Sequence, residues 1–261
     1  MTRNERALSA RRVLAHAYHI LVSARRDAFR LLDVTLWPLV LFLSMTLFAG
    51  AFTHDPKVIG LIVLGALGWR IIYHFQMEAV QLYMDNYWMG MIEHVMISPV
   101  RWWEFILGGA VSAVLKILVI AVLFLGLGHL VFGFTVVHWA ATLAGFAACA
   151  CCGLVLSVFS LGVAFRKRGD AFAFIFAFPD AIAVLSGVFY PVTVFPAPVR
   201  LLAETLPTTH AFNLLKATLG LAPWHPSAFF FSLVLWAALA ILYTSRSLHK
   251  ARRDGKLVKM K

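Results

Sequence analysis

Apolar residues run in long stretches along most of this chain, and polar residues interrupt them at few places. Six stretches approach the roughly 20 residues that an α-helix needs to cross the hydrocarbon core of a bilayer. The pattern predicts spans at about 33–52, 58–80, 105–130, 138–164, 171–190 and 226–244. The fifth is unusual, with Pro179 and Asp180 in its middle and Ser186-Gly187 near its end. Ahead of the first span, residues 7–30 have helical rather than span-like periodicity. Arg12, His16, His19, Ser23, Arg26 and Arg30 follow at spacings of three and four and make one face. Val13, Leu14, Ala17, Ile20, Leu21, Ala24 and Ala28 make the other. Such a helix is expected to lie in the headgroup layer.

Two interruptions stand out. Residues 83–105 are polar and aromatic between apolar runs. Helix formers over 88–97 lead into Ser98-Pro99, where a helix should stop because proline disfavours helical geometry in the residue before it. Arg101-Trp102-Trp103-Glu104 then restarts a helix with a cation and two indoles, residues suited to a bilayer surface. The stretch reads as a short helix against the inner face of the membrane, available to another protein. The second interruption, 191–223, is rich in proline yet still apolar. Two short helices are expected there, over 199–206 and 210–219, the second capped by Thr208 or Thr209. A segment this apolar is expected to fold back into the outer leaflet, because a free loop at that depth could not satisfy its backbone.

Composition agrees with the bilayer as solvent. The chain has 261 residues, of which 61% are hydrophobic and 13% charged, with a mean hydropathy of +0.83. The net charge of +11 does not point to nucleic acid, because the cations cluster at both termini and in short loops. Of the 23 Lys and Arg, all but five fall in the two termini and the second-to-third and fourth-to-fifth connections. The positive-inside rule therefore places both termini, and residues 83–105, in the cytoplasm. No cleavable signal peptide is apparent. Cys149, Cys151 and Cys152 sit in the small-residue run AGFAACACCGL, which reads as a close helix contact rather than a metal or redox site.

Some charges fall inside predicted spans. Arg70, His74, Glu78, Gln81 and Asp85 lie within about 80° of one another on a helical wheel and form one polar stripe along the second span. Lys116 and Asp180 also stand in apolar surroundings. Arg70, Lys116 and Asp180 share a depth of roughly 13–17 Å from the inner face, at 1.5 Å per residue. An isolated charge there costs at least about 2.5–3.5 kcal/mol, so Asp180 is expected to bridge to Lys116 or Arg70. Such pairs either fix helix register or line a path for a polar headgroup. Catalytic signatures are missing: there is no GxxxxGK[ST] loop, no HExxH and no GxSxG. A membrane scaffold, or a membrane-embedded lipid-modifying enzyme using Arg70, Glu78 and Asp85, stands as the alternative to transport.

Four features make the chain resemble the type-2 ABC transporter permeases. They are the amphipathic helix before the first span; Pro99, Trp103, Glu104 and Gly108 closing WMGMIEHVMISPVRWWEFILG; FRKRGD at 165–170; and LSGVFYPVTVFPAPVRLLAETLPTTHAFNLLKATLG at 185–220. The last looks closest to the drug and lipo-oligosaccharide export branch, and Gly169 splits the Arg-Asp pair common in the polysaccharide branch. The resemblance implies an all-α membrane protein, a single domain over 1–261. It would have six transmembrane helices, an interfacial helix (7–30), a cytoplasmic coupling region (83–104) and an outer re-entrant segment (191–223). It implies a half-transporter of the cytoplasmic membrane that dimerises and docks on two ATP-binding cassette subunits. ATP and Mg would sit on those partners, with no cofactor in this chain. Trp88, Glu93, His94, Pro99, Arg101 and Glu104 are the coupling candidates, and Arg70, His74, Glu78, Lys116 and Asp180 the pathway or ion-pair candidates. The substrate implied is lipid-like or amphiphilic: a drug, a lipo-oligosaccharide or a lipid-linked glycan.

Overall fold

The computed structural model of the chain describes residues 3–26, 28–53, 55–91, 94 and 101–254. Among them every regular element is helical. In chain order these are α1 (Arg3–Arg26), α2 (Ala28–Phe52), α3 (Pro56–Trp88), α4 (Trp102–Phe132), α5 (Trp139–Lys167), α6 (Ala171–Leu185), α7 (Ala197–Thr205), α8 (Pro207–Ala217) and α9 (Pro226–Arg253). Single 3-10 turns at Arg168–Asp170 and Val192–Val194 precede α6 and α7. Five of these helices, α2, α3, α4, α5 and α9, are long and apolar enough to cross a membrane. With its 15 residues, α6 covers only roughly 22 Å of a core about 30 Å thick. The expected fifth span of 171–190 therefore stops being helical at Leu185. Gly187, at φ +60°, turns the chain where an L side chain would be strained, and the Ser186 hydroxyl donates to the Ile182 carbonyl at 2.6 Å. Pro179 lies inside α6 without ending it.

The axis of the bundle is α3. Asp55 opens it by accepting the Lys57 N–H at 2.9 Å, with Pro56 in the first turn. It then runs unbroken to Trp88 and ends at Gly90, φ +71°. Residues 83–88, expected within the polar interruption, thus prolong the second span, and Trp88 closes α3 rather than opening a short helix. In α3, 72% of the apolar window is buried, against 17% in α2 and 22% in α4 and α9. So α3 is sheathed by other helices while α2, α4 and α9 turn Trp37, Phe48, Val122, Leu130 and Phe231 outward. That distribution suits a bundle surrounded by lipid.

Small residues and interhelical hydrogen bonds hold the bundle, as required where lipid tails are as apolar as the side chains. A Cβ on Gly109 of α4 would meet the Ala79 nitrogen of α3 at 2.6 Å, and one on Gly153 of α5 would meet the Ile72 carbonyl at 2.8 Å. Cys149 belongs to the same packing, its Sγ 3.3 Å from the Cβ position of Gly68; Cys149 and Cys152 are buried and Cys151 is exposed. Gln76 Nε2 in α3 donates to Ser160 Oγ in α5 at 2.9 Å, and Thr244 Oγ1 in α9 donates to the Val158 carbonyl in α5 at 2.5 Å.

The flanking helices depart from expectation in detail. Along α1, Ser9, Ala17 and Ile20 are buried, Arg12 and His16 face α4, and Leu14 and Tyr18 are exposed. The expected polar face is therefore partly turned into the protein, because Glu104 and Phe105 of α4 supply its partners. Neither Thr208 nor Thr209 caps the second outer helix. Pro207 starts α8, and the threonines reach elsewhere, Thr209 Oγ1 to the Ala203 carbonyl at 2.6 Å and Thr208 Oγ1 to Ser186 Oγ at 2.5 Å. Lys216 is buried and donates to the Gly187 and Tyr190 carbonyls, the second at 2.8 Å. Burial lowers its ammonium to about 8.

If α3–α4 contact depends on a missing side chain, Gly109→Ala should destabilise by about 1–3 kcal/mol. Thermal unfolding in detergent should show a lower Tm for Gly109→Ala and none for Gly126→Ala, where a Cβ meets nothing within 4 Å.

Candidate functional site

The polar stripe of α3 lies along a cavity of about 670 Å³. Arg70, His74, Glu78 and Gln81 all line it, so the helical spacing read from the sequence is preserved for these four, whereas Asp85 is outside the lining and accepts from Gln81 Nε2 at 3.4 Å. Lys116 of α4 and Asp180 of α6 complete the polar part of the wall. With these stand Trp37 and Phe42 of α2 and Phe172 and Phe176 of α6, with Trp69 and Tyr73 flanking Arg70 on α3 itself. Charged and aromatic side chains thus share the lining, with Asp180 beside Phe172 and Phe176 on α6 and Arg70 beside Trp69 and Tyr73 on α3.

Glu78 is the hub of the charged side. Lys116 Nζ donates to its Oε1 at 2.6 Å and Ser112 Oγ to its Oε2 at 3.1 Å, while His74 Nδ1 stands 3.5 Å from Oε1. The glutamate and histidine are buried, at 5% and 1% exposure. The expected Asp180–Lys116 bridge is not formed. Lys116 shares an α3–α4 interface with Glu78 that is close enough for contact, whereas Asp180 is exposed at the cavity wall, which Arg70 also lines. Arg70 lies over the Tyr73 ring, 5.5 Å from its centroid. Among the described residues the His74 Nε2 is buried without a hydrogen-bond partner, which leaves an unmet polar atom in this wall.

The coupling candidates fall in two groups. Glu104 is buried at the start of α4, where Arg12 grips both carboxylate oxygens at 2.8–3.1 Å, Ser9 Oγ donates at 2.8 Å and the Arg101 N–H donates at 2.9 Å. The last contact satisfies one of the free amides of the helix N-terminus. His16 stacks on Phe105 at 4.7 Å beside it, and burial lowers the His16 imidazole. Glu104 consequently clasps α1 to α4 and offers no surface of its own. Arg101, Trp88 and His94 are exposed, while Glu93 and Pro99 lie outside the described residues. The Trp88 ring comes within 3.2 Å of the Cβ position of Gly169, so the end of α3 meets the turn before α6.

Sequence reasoning missed Ser9, Ser112 and the aromatic wall. Phe172, Phe176 and Asp180 are spaced by four residues and share a face of α6, a signal that was present but indistinguishable from the abundant aromatics of any membrane protein. Ser9 and Ser112 carried no signal, since a lone serine near a span end has many bland roles.

Five helices long and apolar enough to cross a membrane, with many exposed apolar side chains, describe a multi-pass membrane protein. The family model for the ABC-2 type transporter matches residues 20–220, and the chain belongs to that family. It is the transport subunit of an ABC transporter, and the family implies partnership with ABC ATPase subunits. The match begins within α1 and ends after α8, so it covers the stripe, the outer helices and Glu104 but neither its partners Ser9 and Arg12 nor α9. No curated protein matches the chain.

Removing Lys116 tests whether the hub is more than a packing device. Lys116→Met leaves Glu78 buried and under-partnered, which should cost about 3–5 kcal/mol and lower the Tm in detergent. Glu78→Gln combined with Lys116→Met should recover most of the loss, as a double-mutant cycle would show. Transport that recovers with stability marks the pair as structural; transport that stays lost marks it as part of the path.

Proposed function

We propose that this chain is the membrane half of an ATP-driven exporter that moves a lipid-like or amphiphilic substrate out across the cytoplasmic membrane. The observation that supports it is the cavity whose lining combines Arg70, His74, Glu78, Gln81, Lys116 and Asp180 with Trp37, Phe172 and Phe176. A polar headgroup suits the charged groups and an apolar or aromatic body the rings. The cavity is lined in part by α2 and α6, and most of the apolar stretch of α2 is exposed. A second copy of the chain placed there would enclose the path, which fits the preference of oligomers for two-fold symmetry. The charge distribution supports cytoplasmic termini.

ATP and Mg act on separate ATPase subunits in this reading, and no chemistry occurs in the permease itself. The ATPase meets the segment between α3 and α4, with Trp88, Glu93, His94, Pro99 and Arg101 as its contacts. Glu104 takes a different part: by holding Arg12 and Ser9 it makes α1 move with the start of α4. A push on the inter-helix segment then reaches both the interfacial helix and α3, whose end rests on the turn at Arg168–Asp170. Differential binding of the ATPase to two arrangements of this region would drive alternation.

Two experiments test the reading. Asp180→Asn should abolish ATP-driven uptake of an amphiphilic drug or lipo-oligosaccharide into inverted vesicles while the protein accumulates normally; normal uptake, or loss of the protein itself, counts against a pathway role. Glu93→Arg should release a co-purifying ATPase from the permease. Retention of the complex would remove the coupling segment from the interface, and a chain that never co-purifies with an ATPase would point instead to a scaffold.

A further inference from the structure

A second amphipathic site lies on α9, away from the charged cavity. Leu239, Leu242, Tyr243, Arg246 and Lys250 share one helical face. Together with Ser247 and Arg166, near the end of α5, they line a recess of about 370 Å³. Leu239 and Leu242, at 51% and 53% exposure, form its apolar end. Arg166, Arg246 and Lys250 form its cationic end, and all three are exposed. An adjoining recess of about 350 Å³ shares Arg166, Ser247 and Lys250 and adds Lys167. The carboxylates nearby, Asp170 and Asp254, line only that second recess, and Asp254 lies 3.7 Å from Arg253.

Cations at the ends of α5 and α9 are expected from the helix dipole and the positive-inside rule alone. Two observations exceed that expectation. Arg166, Lys167, Arg246 and Lys250 converge from two helices yet form no ion pair among the described residues. Ser247, only 3% exposed, lines both recesses with its Oγ buried and without a hydrogen-bond partner among the described residues. A buried hydroxyl without a partner is unfavourable unless something supplies an acceptor.

We propose that the recess binds an anionic phospholipid. Arg166, Arg246 and Lys250 surround its phosphate, Ser247 donates to a phosphate oxygen, and an acyl chain lies along Leu242 and Leu239. From Lys250 to Leu239 the helix rises about 16 Å, the distance from the headgroup layer to the middle of the core. Basic pockets between spans are known to take such headgroups. An acidic partner protein would match the cations but not the leucine wall that continues into the bilayer. The site does not depend on export, since a chain that moved nothing would bind the lipid equally.

The test uses the full-length protein in neutral detergent, titrated with dioleoylphosphatidylglycerol, dioleoylphosphatidylcholine or inorganic phosphate. Thermal unfolding and native mass spectrometry provide the readouts. Phosphatidylglycerol should raise the Tm and give one tightly held adduct per chain, with phosphatidylcholine and inorganic phosphate weaker by ten-fold or more. R246Q/K250Q should weaken phosphatidylglycerol about ten-fold and Ser247→Ala a few-fold, while R246K/K250R should retain it. Undiminished binding by R246Q/K250Q overturns the proposal, as does equal binding of the two lipids by the wild type. A response to inorganic phosphate equal to that of the lipid overturns it in favour of a free-anion site. Unchanged lipid binding with loss of a co-purifying ATPase overturns it in favour of protein docking. Should R246Q/K250Q not fold, the lipid preference of the wild type and the Ser247→Ala titration decide alone.

Discussion

A carboxylate held between helices in a lipid-surrounded bundle must find its donors inside the protein, and Glu78 is that group here. At 5% exposure it is buried, and leaving it bare would cost several kcal/mol. Lys116 and Ser112 both come from α4 at a spacing of four residues, so a single carboxylate fixes the register of α4 on α3. Gly109 and Ala79 lie near the same contact and let the backbones close on it. The polar demand and the close packing are therefore one interface serving two needs. Neither would hold alone, since a small-residue contact has no direction and an ion pair without close approach is too long.

That interface leaves α3 with two unlike sides. Toward α4 and α5 it is closely packed and hydrogen-bonded, through Ala79, Ile72 and Gln76. Toward α2 and α6 it is loosely covered, and there Arg70, His74 and Gln81 meet the aromatic wall. In the proposed reading, that loose cover would let α2 and α6 shift without breaking the packed side. The outer helices work against such freedom at one end. Lys216 and the Ser186–Thr208 contact tie α8 to the turn after α6, so that end of α6 is anchored.

At the opposite end of the bundle, Glu104 performs for α1 and α4 what Glu78 performs for α3 and α4. Two buried glutamates on or against α4, near its first turn and three turns later, make that helix the link between the interfacial helix and the cavity wall. Motion imposed near Arg101 would be carried along a rigid element rather than dissipated in a loop.

Helical spacing alone determined a good deal of this protein: the all-helical membrane class, the amphipathic α1, the one-faced stripe from Arg70 to Gln81 and the two short outer helices. These follow from local geometry, because a residue's face is set by its position in the turn and a span's existence by its run of apolar residues. Only tertiary structure decided the partners. Shared depth put Asp180 within reach of Lys116 or Arg70, yet Lys116 pairs with Glu78, and that choice required knowing which helix stands beside α4. The reversal of Arg12 and His16 toward the protein has the same cause, since amphipathicity identifies two faces but not which of them meets Glu104. The shortness of α6 turned on Ser186 and Gly187, whose turn is held by Lys216, thirty residues away by chain and adjacent only once folded. A one-dimensional pattern records what each helix presents, and the pairing of those faces is a property of the packed bundle.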